Sequence, residues 1–386
     1  MSLAAPTSRG SSTLPARGDA PTVPASRRMV VASFPSVLRT NPYQRLLYEQ
    51  LAAHGYRLAA EPDFKVGWLW GRRRAVGLLH FHWPQAYWLH ERGPSWARHP
   101  LCYVKLGLFA LRLAAARLLG FRVIWTVHQV YPHERARGRL DRVGALVLAR
   151  FSHVLIAHDR GTQATVAREL GRQARKLEIV PHGSYVGVYP PGRPRDAVRR
   201  ELGVAPDSFL FLCFGDLRAY KDVDLLLSAF RSTVLADAAL LVTGTVGSEG
   251  RAERVRTAAR DDPRIRARLG FVPEDQVAEL FSACDAAVVA RGDGGTSGAL
   301  ILALSLGLPA VAARRAAYED LLDGEAAGWL FEPGDADSLR RALERAAATD
   351  EEKLAAKRTA ALTRASLFRW DEIGRTTARL LAGGAA

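Results

Sequence analysis

The residues best placed to do chemistry lie in FGDLRAYKD, Phe214 to Asp222. Gly215 closes an apolar run, and Arg218 and Lys221 follow three apart at the mouth of the next helix. Cations at a helix start oppose the helix dipole and gain nothing unless an anion joins them. With an anion present they can neutralise the charge that grows on a departing diphosphate, acting as the electrophile without a metal ion. The alternative is two solvated cations. A second candidate follows the apolar run Ala286 to Ala290. The loop RGDGGTSG leads there into an apolar helix, Ala299 to Leu306, which Gly307 and Pro309 stop. A strand, a glycine-rich loop and a helix first turn present free amides to an anion. Thr296, Ser297 and Gly298 fall at that turn, so nucleotide phosphates fit there. An ordinary strand-to-helix turn is the alternative.

The first half of the chain carries the groups that could move a proton. His128, in WTVHQVYPHE, follows a strand end and is placed to take a proton from an acceptor hydroxyl, because imidazole titrates near neutral pH. Glu134, with His133 beside it, is the alternative base. A strand-capping role is the other reading of His128. In LHFHWPQAYW, Leu79 to Trp88, two histidines alternate on one strand face. A metal would need a third ligand that the pattern does not supply, so no metal is expected. His82 and Trp83 are expected to line an acceptor surface, where aromatic faces stack on sugars, together with Asn41 and Tyr43. His182 and Gly183, in VPHGSYVGVYP, either approach the donor or form a turn leading to a linker.

FGDLRAYKD resembles the Gly-x-x-Arg-x-x-Lys phosphate clamp of GT-B glycosyltransferases of the family-4-like group. The resemblance runs from about Met29 to Ala382. It includes GFVPEDQVAELFSACDAAVV at Gly270 to Val289 and GWLFEPGDADSL at Gly328 to Leu339. The Trp125–Glu134 segment is similar to the W-T-x-H-N…P-H-E stretch, with Gln129 in place of Asn. Many members carry two glutamates spaced E-x7-E. Here those positions are Gly294 and Leu302, so the ribose-binding glutamate is not carried over. The loop instead resembles a D-x-x-T-S-G form, with Asp293, Thr296, Ser297 and Gly298, associated with bacterial exopolysaccharide enzymes that include β-mannosyltransferases. The resemblance implies a hexosyltransferase using a nucleotide sugar, GDP-mannose among the candidates, and a lipid-linked saccharide acceptor. The nucleotide sugar would be a co-substrate, and no further cofactor is implied. Gly215, Gly244 and His182 join the donor side. The missing glutamates motivate a second reading, a catalytically weak homologue that binds a nucleotide sugar or activates a partner.

Apolar runs alternating with helical patterns position these residues. Strands are expected at Met29–Phe34, Leu78–Trp83, Arg122–Val127 and Val154–Ala157, and again at Phe209–Phe214, Ala239–Thr243, near Ile265, at Ala286–Ala290 and at Ala310–Ala313. The reading is α/β: two doubly wound Rossmann-like domains facing a cleft, with the last helix returning to the first domain. The expected division is a disordered tail over 1–28, an acceptor domain over 29–188, a nucleotide-sugar domain over 189–365 and a crossover helix over 366–386. Tyr189 to Pro194 marks the hinge.

Composition narrows the function classes. The net charge is +15. Up to residue 190, 27 Lys and Arg stand against 10 Asp and Glu; beyond it the counts are 27 and 29. The surplus therefore sits in the first half and calls for a phosphate-rich partner. An anionic membrane surface or a lipid pyrophosphate fits, with Trp68, Trp70, Arg72 to Arg74 and helix Leu101–Leu119 as the contact. Nucleic acid is set aside because no helix-turn-helix, RRM or KH signature is present. Cys102, Cys213 and Cys284 lack ligand spacing and suit a reducing compartment. No apolar run approaches ~18 residues, so a protein peripheral to the inner membrane face is expected.

Overall fold

The computed structural model describes residues 27–37, 42–89, 95–130, 138–292 and 295–384. Two six-stranded parallel sheets organise the chain. The first contains β1 (Val30–Phe34), β2 (Arg57–Leu58), β3 (Leu78–Phe81), β4 (Arg122–Thr126), β5 (Val154–Ala157) and β6 (Leu177–Ile179), in the order β2-β1-β3-β4-β5-β6. The second contains β7 (Phe209–Phe214), β8 (Ala238–Gly244), β9 (Ile265–Leu269), β10 (Ala286–Val289), β11 (Ala310–Ala313) and β12 (Gly328–Phe331), in the order β12-β11-β10-β7-β8-β9. Helices cover both faces, which is why β3, β5, β10, β11 and β12 are buried at every residue. The α/β reading with two doubly wound sheets holds.

Three strands lack an expectation from the pattern: the short β6 and two others. β2 has only two residues, both exposed, so no apolar run announces it. β12 lies inside GWLFEPGDADSL and is recognisable as a strand only through its parallel pairing with β11.

The strand order reverses between β7 and β10 in the second sheet. Their chain connections leave in opposite directions, so a crevice opens beyond their carboxyl ends. Gly215 and Gly244 end β7 and β8 side by side, with φ +103° and +135°. A Cβ at Gly244 would stand 1.9 Å from the Gly215 carbonyl oxygen. Only glycine allows the two strand ends to pass this closely.

The last helix, Trp370–Ala382, returns to the first sheet. Tyr56 Oη donates to the Ala378 carbonyl at 3.0 Å, and Arg122 Nη2 to that of Leu380 at 3.1 Å. Ile373, Leu380 and Leu381 share a core with Val31, Tyr43, Leu47 and Leu51. Gly374 lies on the helix Pro42–Ala53, where a Cβ would come 2.5 Å from that of Gln50. At the crossing between lobes, Trp370 Nε1 donates to the Ser184 carbonyl, and Tyr185 already packs in the second core. Packing thus changes hands between Val180 and Tyr185, ahead of Tyr189–Pro194.

Candidate active site

The β7/β10 crevice gathers cations. Lys221, in the short turn after β7, donates from Nζ to the Phe214 carbonyl at 2.9 Å. The ammonium lies 2.8 Å from where a Cβ on Gly215 would be, so Gly215 makes its room. Burial lowers the Lys221 pKa, the Cys213 and Asp216 charges oppose that shift, and Arg291 and Arg218 add to it. Like charges brought together in a crevice favour a negatively charged partner. Arg218 pairs with Asp216, which also accepts from Thr245 Oγ1 at 3.0 Å. Arg291, from the loop after β10, is buried and stands 4.9 Å from the Tyr220 ring centroid. Asp222, at φ +50°, accepts from the Gly292 amide at 3.3 Å and so ties the two loops together. Arg291 escapes the sequence reading because its loop draws attention for amides, not for a side chain.

The Thr296 turn is occupied from the other lobe. Asp159 Oδ2 accepts from the Thr296 amide at 2.9 Å and from its hydroxyl at 2.6 Å. Asp159 also caps the helix Arg160–Leu170 through the Thr162 amide. Burial would raise the Asp159 pKa, but the hydrogen bonds from Thr296 and Thr162 outweigh it and hold the carboxyl below its usual range. The turn therefore does receive an anion, a carboxylate of this chain. Ser297 faces inward as the cap of the helix Gly298–Ser305, accepting from the Leu300 amide. Gly295 allows the approach, since a Cβ there would lie 2.1 Å from Thr162 Oγ1.

Across the crevice, four adjacent strands each deliver a histidine. His82 follows β3, His128 follows β4, His158 follows β5 and His182 follows β6. Successive ring centroids are 5.5, 5.0 and 5.4 Å apart. The Tyr43 ring touches all four, at 6.0, 5.0, 5.3 and 4.7 Å. A hydrogen-bonded chain runs inward from His128. Its Nε2 meets His82 Nδ1 at 3.2 Å, His82 Nε2 meets Tyr48 Oη at 3.0 Å, and Tyr48 Oη meets His80 Nδ1 at 3.0 Å. His80 Nε2 ends the chain on Thr126 Oγ1 at 2.8 Å. Trp83 stacks on His128 with centroids 4.4 Å apart and planes 14° from parallel.

These contacts revise the acceptor-side reading of two residues. His82 and Tyr43 are buried, at 1 % and 3 % exposure. Both His82 nitrogens are engaged, so it orients His128 and does not offer a surface. Trp83 packs against His128. His182 donates from Nδ1 to the Gly183 carbonyl at 2.8 Å, and Gly183 lies beneath Trp370. Asn41, Glu134 and Asp293 fall outside the described residues. His158, Tyr48 and Asp159 join the site only through the fold.

Burial favours the neutral form of all five imidazoles. It holds His80 and His182 down at about 3, and lowers His82, His128 and His158 as well. A neutral His128 is in the form that accepts a proton, but burial lowers its basicity well below the near-neutral titration expected from the sequence. Unfolded histidines bind protons below about pH 6.5, which the folded ones refuse. Their stabilisation is therefore complete above that pH and lost as the pH falls toward the folded values. His80 and His182 should each cost about 1 kcal/mol between pH 6.5 and 5.5, with the other three acting in the same direction. Denaturant titrations at pH 7.5, 6.5 and 5.5 should show this steep decline, and an unchanged midpoint would contradict neutral burial of the row.

Residues 208–349 match the family described as glycosyl transferases group 1. Over 304 residues the chain is 30% identical to GDP-mannose:glycolipid 4-beta-D-mannosyltransferase of Xanthomonas campestris pv. campestris, spanning 76% of this chain and 75% of that one. The crystal structure of HepE from Anabaena in complex with UDP-glucose superposes with a TM-score of 0.70 at 17% identity, over 92% of this chain and 99% of that one. Sucrose-phosphate synthase from Thermosynechococcus elongatus gives a TM-score of 0.71 at 17% identity, over 92% and 98%. With its two six-stranded parallel sheets, the chain belongs to the glycosyl transferases group 1 family and is a glycosyltransferase of the GT-B fold.

Proposed function

We propose that this enzyme transfers mannose from GDP-mannose to a hydroxyl of a lipid-linked saccharide, in exopolysaccharide or glycolipid synthesis. The observation that carries the reading is the cluster of Lys221, Arg218 and Arg291 at the β7/β10 switch point. The Xanthomonas relative is named for GDP-mannose and a glycolipid acceptor, and the HepE structure holds UDP-glucose, which favours a nucleotide-sugar donor here. In the transfer, the bond from sugar C1 to the diphosphate oxygen breaks and its electron pair leaves with GDP. The acceptor oxygen forms the new bond to C1. The three cations carry the charge growing on the leaving diphosphate, the role a metal ion fills elsewhere. His128 accepts the acceptor proton and His82 fixes its ring.

A peripheral seat on the cytoplasmic membrane face belongs to the same reading. Among the described residues no helix is long and apolar enough to cross a membrane. The helix Ser95–Leu118 nevertheless turns Leu101, Val104, Leu108 and Leu111 outward, at 40%, 58%, 45% and 60% exposure. Their spacing of three, four and three places them in one stripe, flanked by Lys105 and Arg112. An apolar stripe with cations beside it suits an anionic lipid surface.

Turnover of GDP-mannose with a lipid-linked acceptor should exceed that of UDP-sugars. Lys221→Met should lower kcat roughly a hundred- to a thousand-fold while the protein stays folded by circular dichroism. Undiminished turnover in that variant, or a preference for UDP-sugars, would contradict the assignment. Val104→Glu with Leu111→Glu should abolish co-sedimentation with phosphatidylglycerol vesicles. Equal pelleting of variant and wild type would remove the membrane from the account.

A further inference from the structure

A second concentration of unbalanced positive charge lies at the opposite end of the first sheet. There the amino-terminal ends of β1, β3 and β4 meet the end of the helix Trp370–Ala382 around a cavity of about 620 Å³. Arg27, Arg28, Arg117, Arg122 and His153 line it. None of the four guanidiniums forms an ion pair among the described residues. Arg27 donates to the carbonyls of Val76 and Leu119, and Arg122 to that of Leu380. Arg117 donates to the Phe151 carbonyl and to Nδ1 of His153. Arg122 Nε is buried with no partner, and Arg28 is exposed with no side-chain hydrogen bond among the described residues. Burial first, and the Arg117, Arg122 and Lys176 charges next, push His153 down to about 4. The Arg28 and Arg117 charges likewise add to the lowering that burial imposes on Arg122.

Carbonyls hold Arg27, Arg117 and Arg122 in place without neutralising them. Four cations lining one cavity from separate segments would be complemented best by more than a single negative charge. Donors approaching from several directions suit a tetrahedral phosphate better than a planar carboxylate. We propose that this cavity is a second anion site, apart from the catalytic crevice, for a phosphate-bearing ligand with two or more negative charges. Two sources share that chemistry, a soluble phosphate compound and the headgroup of a membrane lipid. The second has a structural motive: Arg117 precedes Leu118, an 89% exposed residue at the end of the helix that carries the outward apolar stripe.

Calorimetric titration with inorganic pyrophosphate tests the site on the intact chain. Wild type should bind two equivalents. R28E alters an exposed side chain and should keep the fold; paired with R117E it should weaken one of the two sites by at least about tenfold. Lys221→Met should lose the other. A single site, lost in Lys221→Met and untouched by R28E, would overturn this proposal and leave the catalytic reading standing. Loss in R28E alone, with Lys221→Met unaffected, would support the cavity and count against the diphosphate crevice. Vesicles of phosphatidylcholine with and without phosphatidylglycerol then separate the sources. Pelleting lost in R28E marks a lipid headgroup, whereas unchanged pelleting with pyrophosphate binding lost marks a soluble phosphate compound. If charge reversal moves neither pyrophosphate binding nor pelleting, the cavity is not an anion site.

Discussion

The second lobe depends on a lysine ammonium held against a carbonyl and not against a carboxylate. Lys221 Nζ reaches the Phe214 oxygen because Gly215 has no Cβ in its way, and Gly215 keeps its position because Gly244 lets the β8 end pass close by. A carboxylate partner would neutralise the charge and hold it through the reaction. A neutral carbonyl orients the ammonium yet leaves most of its charge for an incoming anion. Burial and the nearby Arg218 and Arg291 make that uncompensated charge costly, which the lowered pKa registers. On the proposed function, a bound diphosphate would offset the cost, so affinity and electrophilic power would have the same origin.

The first lobe solves a complementary problem with neutral groups. A row of imidazoles at parallel strand ends could carry several charges, but burial favours their neutral form and hydrogen bonds fix their rings. Tyr48 joins His80 to His82, and His82 in turn holds His128, so the proton acceptor is oriented from the interior of the sheet. The lobes meet through Asp159 and Thr296 on one side and Trp370 over Gly183 on the other. On the proposed function, these contacts set a neutral base opposite a cluster of cations. That is the polarity needed when a proton leaves the acceptor as negative charge grows on the donor.

Much of this was legible in the chain itself, and the remainder was not for identifiable reasons. Alternating apolar runs and helical patterns specify two parallel sheets, since a doubly covered strand has to be apolar at every position. The three-residue spacing of Arg218 and Lys221 marks the crevice, because cations at a helix start oppose the helix dipole. Arg291 is hidden by its glycine-rich neighbours, which invite a reading through backbone amides. Asp159 has a sufficient local role as a helix cap, and its bond to Thr296 spans 137 residues. His158 and Tyr48 acquire meaning only beside strands that the topology brings to one edge. Arg27, Arg28, Arg117 and Arg122 are spread over nearly a hundred positions, so only the folded sheet makes them a cluster.

A crystal structure of the enzyme with GDP bound tests the central claim most directly. The β-phosphate should lie within hydrogen-bonding distance, about 3 Å, of Lys221 Nζ, with Arg218 and Arg291 beside it. GDP seated with its β-phosphate elsewhere, and Lys221 still bonded only to the Phe214 carbonyl, would contradict the account.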